Sequence, residues 1–510
     1  MMKYSIFFLI SFISCTIFFS IKQEKKYSDL LPFYTEKIHW NQYYYIIKIP
    51  KYNQRYIEDY GNKNHIFLKN VHSDYLYLYY KIPTKYLNSI KKTFSFVEVV
   101  NDFPFIWWDN DLNERKLNSL PILLNGYKDY EAIIRILQNL QKKYPDYIKL
   151  IELGKTYQNK TIYLIHLTNH KKKDLIKIPL YFNALHHGNE LLTIEYILDM
   201  IFLLLGETYI DIPMPEQFNK YNLKILTSIP EEKRKKYLNA FDIFIIPIVN
   251  PDGLENFWYK SIHQGRKNSR SVDLNRNYPF FWNSFSFDAS SSNIESYKFR
   301  GYFRGSEKET QIIMDFINKN PCSFSISYHT FAKKILVPYT IDYLWNPIPD
   351  RAYYFAKKLI QNSYSFRKEN YKLARKLYSV DGTDQDWIYN KTGCIAYIVE
   401  GSMNIPDFSI AKYSIIGIRN VWYNLLDLAL KGRRIELEFY YFNQPVEPNI
   451  KILNYYYFEK ESFLFYRNRW IFYLGPLEKI KINVEYKNIS KNYTIICRHI
   501  CREKIHLTKK

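Results

Sequence analysis

The sequence predicts an α/β protein built on a mixed, mostly parallel central sheet with helices on both faces. Four short apolar runs alternate with helical patterns, and each run has the length of a buried strand. These runs are IPLYFNAL (178–185), FDIFIIPIVN (241–250), SFSISYH (323–329) and CIAYIVEG (394–401). Strands of a parallel sheet are covered on both faces, so they are apolar throughout and are connected by helices.

Helical periodicity is clearest in the segments between these strands. Apolar residues recur with helical spacing after residue 127, and they are Ile133, Ile134, Ile136, Leu137 and Leu140. The apolar segment LLTIEYILDMIFLLLG contains Glu195 and Asp199, so we predict a buried helix there and not a membrane span. Two further helices are predicted in EKETQIIMDFINKN and AYYFAKKLIQNSY.

The regions on either side of this pattern predict two smaller units. Residues 38–104 alternate strand-like and weakly helical stretches, which indicates a small α+β unit. Residues 105–124 form a polar linker with a dibasic pair, Arg115 and Lys116, which is either a protease cleavage site or an ordinary charged loop. The central α/β domain is assigned to 125–432, and short strands separated by turns predict a small β-sandwich-like domain at 433–510.

The first 22 residues predict entry into the secretory pathway. Lys3 precedes an apolar run from Ser5 to Ile21, which is typical of a secretory signal peptide; an uncleaved signal anchor is the alternative. Only the anchor would give the protein a membrane partner. Four of the five cysteines lie beyond this leader, an even number that suits an oxidising compartment.

Composition restricts the class of partner. The net charge is +22, but Lys, Asn, Ile, Tyr and Phe are all abundant, as expected from an A/T-rich genome. No basic patch is interleaved with aromatic residues at the spacing of a nucleic-acid-binding motif. We therefore expect a solvated basic surface and no nucleic-acid partner.

Several polar residues fall where the predicted strands end: His187, Asn250, His329 and Glu400. In open α/β sheets, ligands bind at the carboxyl ends of the strands. His187 and Glu190 are three residues apart and offer the nitrogen and oxygen ligands that suit zinc, leaving room for a distant third ligand. His186 precedes this pair by one residue, and on an extended strand it would point to the opposite face.

Several separated blocks, in order, resemble the zinc carboxypeptidases of the pancreatic A/B and regulatory N/E types. The similarity extends from about residue 127 to 432. The blocks are HGNE (187–190), FDIFIIPIVNPDG (241–253), GRKN (265–268), DLNRN (273–277), SYHT (327–330) and the spacing from Tyr378 to Glu400. The resemblance implies the carboxypeptidase fold for the central domain.

The resemblance also implies roles for individual residues. Three would bind one Zn²⁺ ion: His187, Glu190 and His329. Three would hold the carboxylate at the C-terminus of the substrate: Asn275, Arg276 and Tyr378. Glu400 would be the general base toward a zinc-activated water, and Arg266 would stabilise the oxyanion.

Three positions bear on substrate preference. Asn189 matches the regulatory type, whereas the pancreatic type has an arginine there. Gln385 occupies the position that helps to set pocket specificity, and glutamine resembles the regulatory type, many members of which prefer C-terminal Lys or Arg. Thr340 is another candidate residue of the pocket wall. Gln385 therefore suggests a preference for a basic C-terminal residue, but no carboxylate suited to a basic side chain is visible in the sequence.

The predicted function is that of a secreted zinc metallocarboxypeptidase acting on peptide or protein C-termini. The 38–104 unit resembles the pancreatic pro-segment, which implies a zymogen cut by a trypsin-like protease at Arg115–Lys116. The alternatives are a catalytically silent peptide-binding protein, or a hydrolase of unusual C-terminal residues such as glutamate tails or wall peptides. If the strands after Cys322 and Cys394 are neighbours, those two thiols could pair; Cys497 and Cys501 form a second candidate pair.

Overall fold

A computed structural model describes residues 44–100 and 126–507. Within these ranges the gaps are 65, 67, 74–76, 84–85, 211–223, 260–264, 285–287, 343, 345, 366–368, 403–407 and 457–462. The predicted leader (1–22) and the Arg115–Lys116 linker lie outside the described residues. The chain divides into two compact units, Met1–Phe105 and Ile106–Lys510.

The N-terminal unit is a four-stranded antiparallel sheet with two helices, in the chain order β-α-β-β-α-β. The strands pair in the order β2-β3-β1-β4 around a small aliphatic core that includes Ile47, Ile57 and Ile90. The elements are β1 (Tyr44–Pro50), α1 (Gln54–Lys63), β2 (Lys69–Ser73), β3 (Tyr77–Pro83), α2 (Leu87–Thr93) and β4 (Glu98–Val100).

The second unit is built on an eight-stranded mixed sheet in the order β11-β10-β12-β9-β7-β8-β6-β5. Its four central strands run parallel, and they are the four predicted from their apolar sequences. The strands are β5 (Ile148–Lys155), β6 (Thr161–Leu167), β7 (Ile178–Asn183), β8 (Phe241–Ile246), β9 (Phe324–Thr330), β10 (Lys334–Leu336), β11 (Lys372–Ala374) and β12 (Ile395–Gly401). The predicted fold class is confirmed.

Eight helices of this unit are described. They are α3 (Tyr130–Lys143), α4 (Leu192–Leu205), α5 (Glu231–Ala240), α6 (Pro251–Tyr259), α7 (Lys308–Lys319), α8 (Arg351–Leu359), α9 (Asp384–Thr392) and α10 (Phe408–Lys431). Within the described part of the chain, none of the helices combines the length and apolarity needed to cross a bilayer.

Helix α4 is buried along almost its whole length, as predicted, and its two acidic residues are paired. Lys128 lies 2.8 Å from Glu195, and the guanidinium of Arg419 makes two hydrogen bonds of 2.8 and 2.7 Å to Asp199. Burying a carboxylate without a partner is costly, so these ion pairs are what allow a helix with two charges to lie inside the core.

The C-terminal part of the second unit has a core of its own, centred on Trp470 and Phe472. Two sheets enclose it, one of five strands with β20 parallel to β13 and one of three strands. The strands are β13 (Arg434–Tyr441), β14 (Gln444–Val446), β15 (Asn449–Ile452), β16 (Phe465–Tyr466), β17 (Arg469–Tyr473), β18 (Lys479–Tyr486), β19 (Ile489–Ile496) and β20 (Ile500–His506).

Both candidate disulfides form. Strands β9 and β12 are parallel neighbours, which brings Cys322 and Cys394 level, with their Cα atoms 5.3 Å apart. Cys497 and Cys501 pair across the turn between β19 and β20. The first bond links two strands that end in predicted site residues.

Candidate active site

The turn after β7 carries the first two candidate ligands. The strand ends at Asn183, two residues before the predicted end, so His187 and Glu190 lie on the following turn, where the Glu190 amide donates to the His187 carbonyl (3.0 Å). Gly188 allows the turn to pack on α6, since a Cβ there would lie 2.2 Å from the Leu254 nitrogen. A larger residue at this glycine would displace both ligands.

His187, Glu190 and His329 converge as predicted, although they come from two separate strand ends. Nδ1 of His187 lies 2.7 Å from Oε1 of Glu190, and Nδ1 of His329 lies 3.1 Å from Oε2 of the same carboxylate. All three are buried, and their ligand atoms lie within 4.8 Å of one another. Two imidazoles and one carboxylate are the donor set of a catalytic zinc site with an open fourth position.

Asp273 contacts both His187 and Arg266. No role was predicted for this residue from the sequence. One of its oxygens lies 3.0 Å from Nε2 of His187, and the other accepts a 2.6 Å hydrogen bond from Arg266. Because a carboxylate only accepts, it fixes the proton of His187 on Nε2 and leaves Nδ1 free for a metal. Burial opposes ionisation of Asp273, but Arg266 and His187 hold its pKa well below its usual range.

We therefore expect Asp273→Asn to weaken zinc binding by about 10–100-fold. The amide keeps the shape of the side chain but no longer fixes the His187 tautomer, and it leaves Arg266 without its counter-charge. Competition with a chromophoric chelator measures the zinc Kd. Asp315→Asn, on the outer part of α7, is the matched control and should leave the Kd unchanged; equal Kd values for wild type and Asp273→Asn would remove the orienting role.

Glu400 is the second-last residue of β12 and lies in register with His329, the second-last residue of β9. Its carboxylate is buried, and within the described part of the chain Oε2 has no hydrogen-bond partner. Burial raises the pKa of Glu400 to about 7; Glu190 adds to the rise, while His329, His187 and Arg266 oppose it. A carboxylate with a free oxygen and a pKa near neutrality can both take up and release a proton.

The predicted carboxylate-binding residues lie together on the other side of the cleft. Arg276 is 2% exposed, and it donates to two backbone carbonyls and, over 3.3 Å, to the Tyr378 hydroxyl. No carboxylate of the described residues forms an ion pair with it. Asn275 is held between Asp384, whose amide donates to it, and the ring of His329. A buried cation without a counter-ion favours an anionic ligand.

These residues line one cleft of about 300 Å³. Its described lining includes all three candidate metal ligands, Glu400, Arg266, Asn275, Arg276 and Tyr378. The remainder of the lining is mostly apolar: Phe331, Leu336, Leu377, Val380 and Ile398, together with Thr330, Lys376 and Thr383. Eight of the nine predicted site residues are therefore brought together.

Gln385, the ninth predicted site residue, is not among the described residues that line the cleft. Its amide group donates to the carbonyls of Leu336 (3.0 Å) and Ala396 (3.4 Å), and its Oε1 is buried without a partner. Thr340 is likewise buried, with its hydroxyl donated to Asp386. Both residues lie behind the wall that the sequence analysis expected them to form.

His186 is not part of the His187–Glu190–His329 cluster, but the alternation of a strand is not the reason. The strand has already ended, and the turn directs His186 into the core, where Nε2 lies 3.0 Å from the Tyr278 hydroxyl and the ring stacks on His329. Burial lowers the pKa of His186 to about 4, so the ring is neutral. It supports His329 from the side opposite the cleft.

Comparison with known proteins agrees with this geometry. A family profile described as zinc carboxypeptidase matches residues 133–413, more than half of the chain. Mast cell carboxypeptidase A of Mus musculus is 22% identical over 276 residues, which cover 52% of this chain and 60% of the relative. Carboxypeptidase A6 of Homo sapiens is 24% identical over 275 residues, which cover 52% and 57%.

The fold has a solved counterpart. The crystal structure of thrombin activatable fibrinolysis inhibitor superposes with a TM-score of 0.50 at 18% identity, over 76% of this chain and 99% of that chain. At this identity the likeness concerns the fold. In sequence, the chain spans 60% of the length of the first of the two carboxypeptidases and 57% of the second.

Proposed function

Since this chain belongs to the zinc carboxypeptidase family, we propose that it is a zinc-dependent metallocarboxypeptidase that hydrolyses the C-terminal peptide bond of peptides or proteins. The observation that carries the proposal is one cleft in which a His-Glu-His cluster, a buried carboxylate and a buried arginine that pairs with no described carboxylate face one another. Each of these groups has a separate task in removing a C-terminal residue.

The arginine selects the chain end. The C-terminal carboxylate of the substrate would pair with Arg276, with Tyr378 and Asn275 as neutral donors beside it. An internal peptide bond presents no such charge, so a long chain can enter only by its end. Fixing the carboxylate also fixes the distance from it to the scissile carbonyl, which places that carbonyl next to the metal cluster.

Glu400 would carry out the proton transfers. Its free Oε2 would take a proton from the attacking water and then pass it to the departing amine nitrogen, so that the C–N bond breaks with a neutral leaving group. Arg266, held by Asp273 at 2.6 Å, would stabilise the negative charge that develops on the carbonyl oxygen. Zinc held by His187, Glu190 and His329 would supply Lewis-acid polarisation and lower the pKa of water.

The lining of the cleft favours a neutral, apolar C-terminal side chain. The only carboxylates on its described lining are Glu190 and Glu400, and both belong to the catalytic cluster. Leu336, Val380 and Ile398 offer apolar contact, and Lys376 adds a positive charge. A lysine or arginine of the substrate would therefore be desolvated without a counter-charge. This is contrary to the preference for a basic C-terminal residue that Gln385 suggested.

Secretion and proteolytic activation are part of the proposal. The apolar run at Ser5 to Ile21 supports export, and the two disulfides suit an oxidising compartment. The β-α-β-β-α-β unit precedes the catalytic part, as a pro-segment would, with Arg115–Lys116 between them. A trypsin-like cut at this pair would convert a zymogen to the active enzyme.

One panel tests these proposals. Full-length protein, before and after limited trypsin treatment, is assayed for release of C-terminal Phe, Leu, Arg, Lys and Glu, with and without a zinc chelator. We expect release of Phe and Leu that is abolished by the chelator and restored by zinc. Zinc-loaded, trypsin-treated protein that releases none of the five would refute the enzymatic proposal, and equal rates before and after trypsin would refute the zymogen.

A further inference from the structure

Arg351 is a buried cation for which the described residues offer no acidic partner. It begins helix α8 and is 1% exposed, although its side chain carries a full charge. Among the described residues its one hydrogen-bond partner is the Tyr473 carbonyl, 2.8 Å from Nη1, while its guanidinium carbon lies 3.9 Å from the centre of the Phe472 ring. Its Nε is buried and makes no hydrogen bond to any residue that the structure describes.

A second arginine repeats this pattern on the neighbouring β17. Arg469 is 7% exposed, and its Nε is also buried without a hydrogen bond. Its Nη1 lies 3.1 Å from Glu436, but that one carboxylate also accepts hydrogen bonds from Arg434 and Arg502. Glu438 is 3.8 Å from the Arg469 Nε, beyond hydrogen-bond distance. Among the described residues of this region, three arginines (Arg434, Arg469 and Arg502) face two glutamates (Glu436 and Glu438), so their positive charge exceeds the negative charge even before Arg351 is included.

Arg351 and Arg469 line one small cavity. It has a volume of about 20 Å³ and lies between the catalytic part and the β domain. Cys322 and Thr392 of the catalytic part and Tyr473 of the β domain are among the residues that line it. Buried hydrogen-bond donors that face a cavity of this size are normally satisfied by a bound water molecule or ion. Two guanidiniums in a region of excess positive charge favour an anion over water, and the volume restricts that anion to a single atom or little more.

We propose that this junction cavity is a halide site, in which one chloride ion accepts hydrogen bonds from the Nε groups of Arg351 and Arg469. The ion would neutralise buried charge on both sides of the junction and so hold the β domain against the catalytic part. The site is separate from the catalytic cleft, with which its lining shares no residue. It concerns stability, so it does not depend on the proposed peptidase activity.

The test is the unfolding temperature of the full-length, zinc-loaded protein at fixed pH and ionic strength, with sodium chloride exchanged for sodium gluconate. A ligand that binds only the folded state stabilises it by mass action. We expect the midpoint to rise by about 1–3 °C for each tenfold increase in chloride above the Kd, and bromide to act in the same way. Equal midpoints in chloride and gluconate would overturn the site and leave water as the occupant.

Two variants separate this site from general salt effects. Arg351→Met keeps the packing against Phe472 but removes the donors, so its midpoint should not respond to chloride. Arg498→Met removes an exposed arginine of the same β domain and should keep the full response. If Arg351→Met does not fold, crystals of wild type soaked in bromide decide the question: an anomalous peak is expected between Arg351 and Arg469, and its absence would refute the proposal.

Discussion

Replacing Glu400 with glutamine is expected to lower kcat by about 10²–10⁴-fold without loss of zinc. The amide matches the carboxylate in size, but it cannot accept the proton of the attacking water. Glu400 is not one of the three metal ligands, and its Oε2 has no hydrogen bond to lose, so the cleft should keep its geometry. The measurements are kcat on a C-terminal Phe substrate and the zinc content of the same sample.

The pH profile gives the same residue a second, independent test. Only the ionised carboxylate accepts a proton, so kcat/KM should fall as the pH drops through the pKa of Glu400. Burial raises that pKa to about 7, and a bound Zn²⁺ ion would lower it, so we expect the acid limb at or below pH 7. Glu400→Gln should lack this limb.

A matched control is Glu503→Gln, an exposed position on β20 that should change neither kcat nor the acid limb. If zinc-loaded Glu400→Gln retains the wild-type rate, another group serves as the base and the proposed mechanism is wrong. If it loses its zinc, then Glu400 acts on the metal site itself and the general-base role is again not supported.

The central fold was predictable from sequence because its four inner strands are buried on both faces. A largely apolar run such as FDIFII, all six residues of which are buried, can be recognised without knowledge of its neighbours. The outer strands carry a weaker signal. Strand β5 has only one fully buried residue, and β10 and β11 are three residues each, so no apolar run identified them and no strands were predicted there.

The site residues were predictable where a motif fixes them, and less so where packing does. His187, Glu190, His329 and Glu400 converge because parallel strands end at one edge of the sheet. Asp273 lies in the DLNRN block, but its two contacts come from the tertiary fold. The side-chain direction of Gln385 likewise depends on the neighbouring carbonyls of Leu336 and Ala396, which no sequence pattern encodes.

The requirement for a chain end predicts the second large effect. Arg276→Ala should lower kcat/KM on a peptide with a free C-terminal carboxylate by about 30–1,000-fold, which corresponds to about 2–4 kcal/mol of lost binding. The physical reason is that the substrate carboxylate would then be desolvated in the cleft without its ion pair. The same kinetics should be measured on the identical peptide with a C-terminal amide.

The amide peptide distinguishes recognition from structural damage. It has no charge for Arg276 to bind, so wild type should cleave it poorly, and the variant should reduce its cleavage little further. An equal loss on both peptides would mean that Arg276 only supports the Ala289 segment, to which its Nε donates over 3.0 Å. Arg304→Ala, at an exposed arginine, should leave the ratio of kcat/KM on the acid to kcat/KM on the amide at the wild-type value.

Arg276→Lys keeps the positive charge but loses the bidentate geometry of the guanidinium, so it should recover part of this ratio. Selectivity for the chain end depends first on a buried positive charge and then on the geometry with which that charge binds the carboxylate.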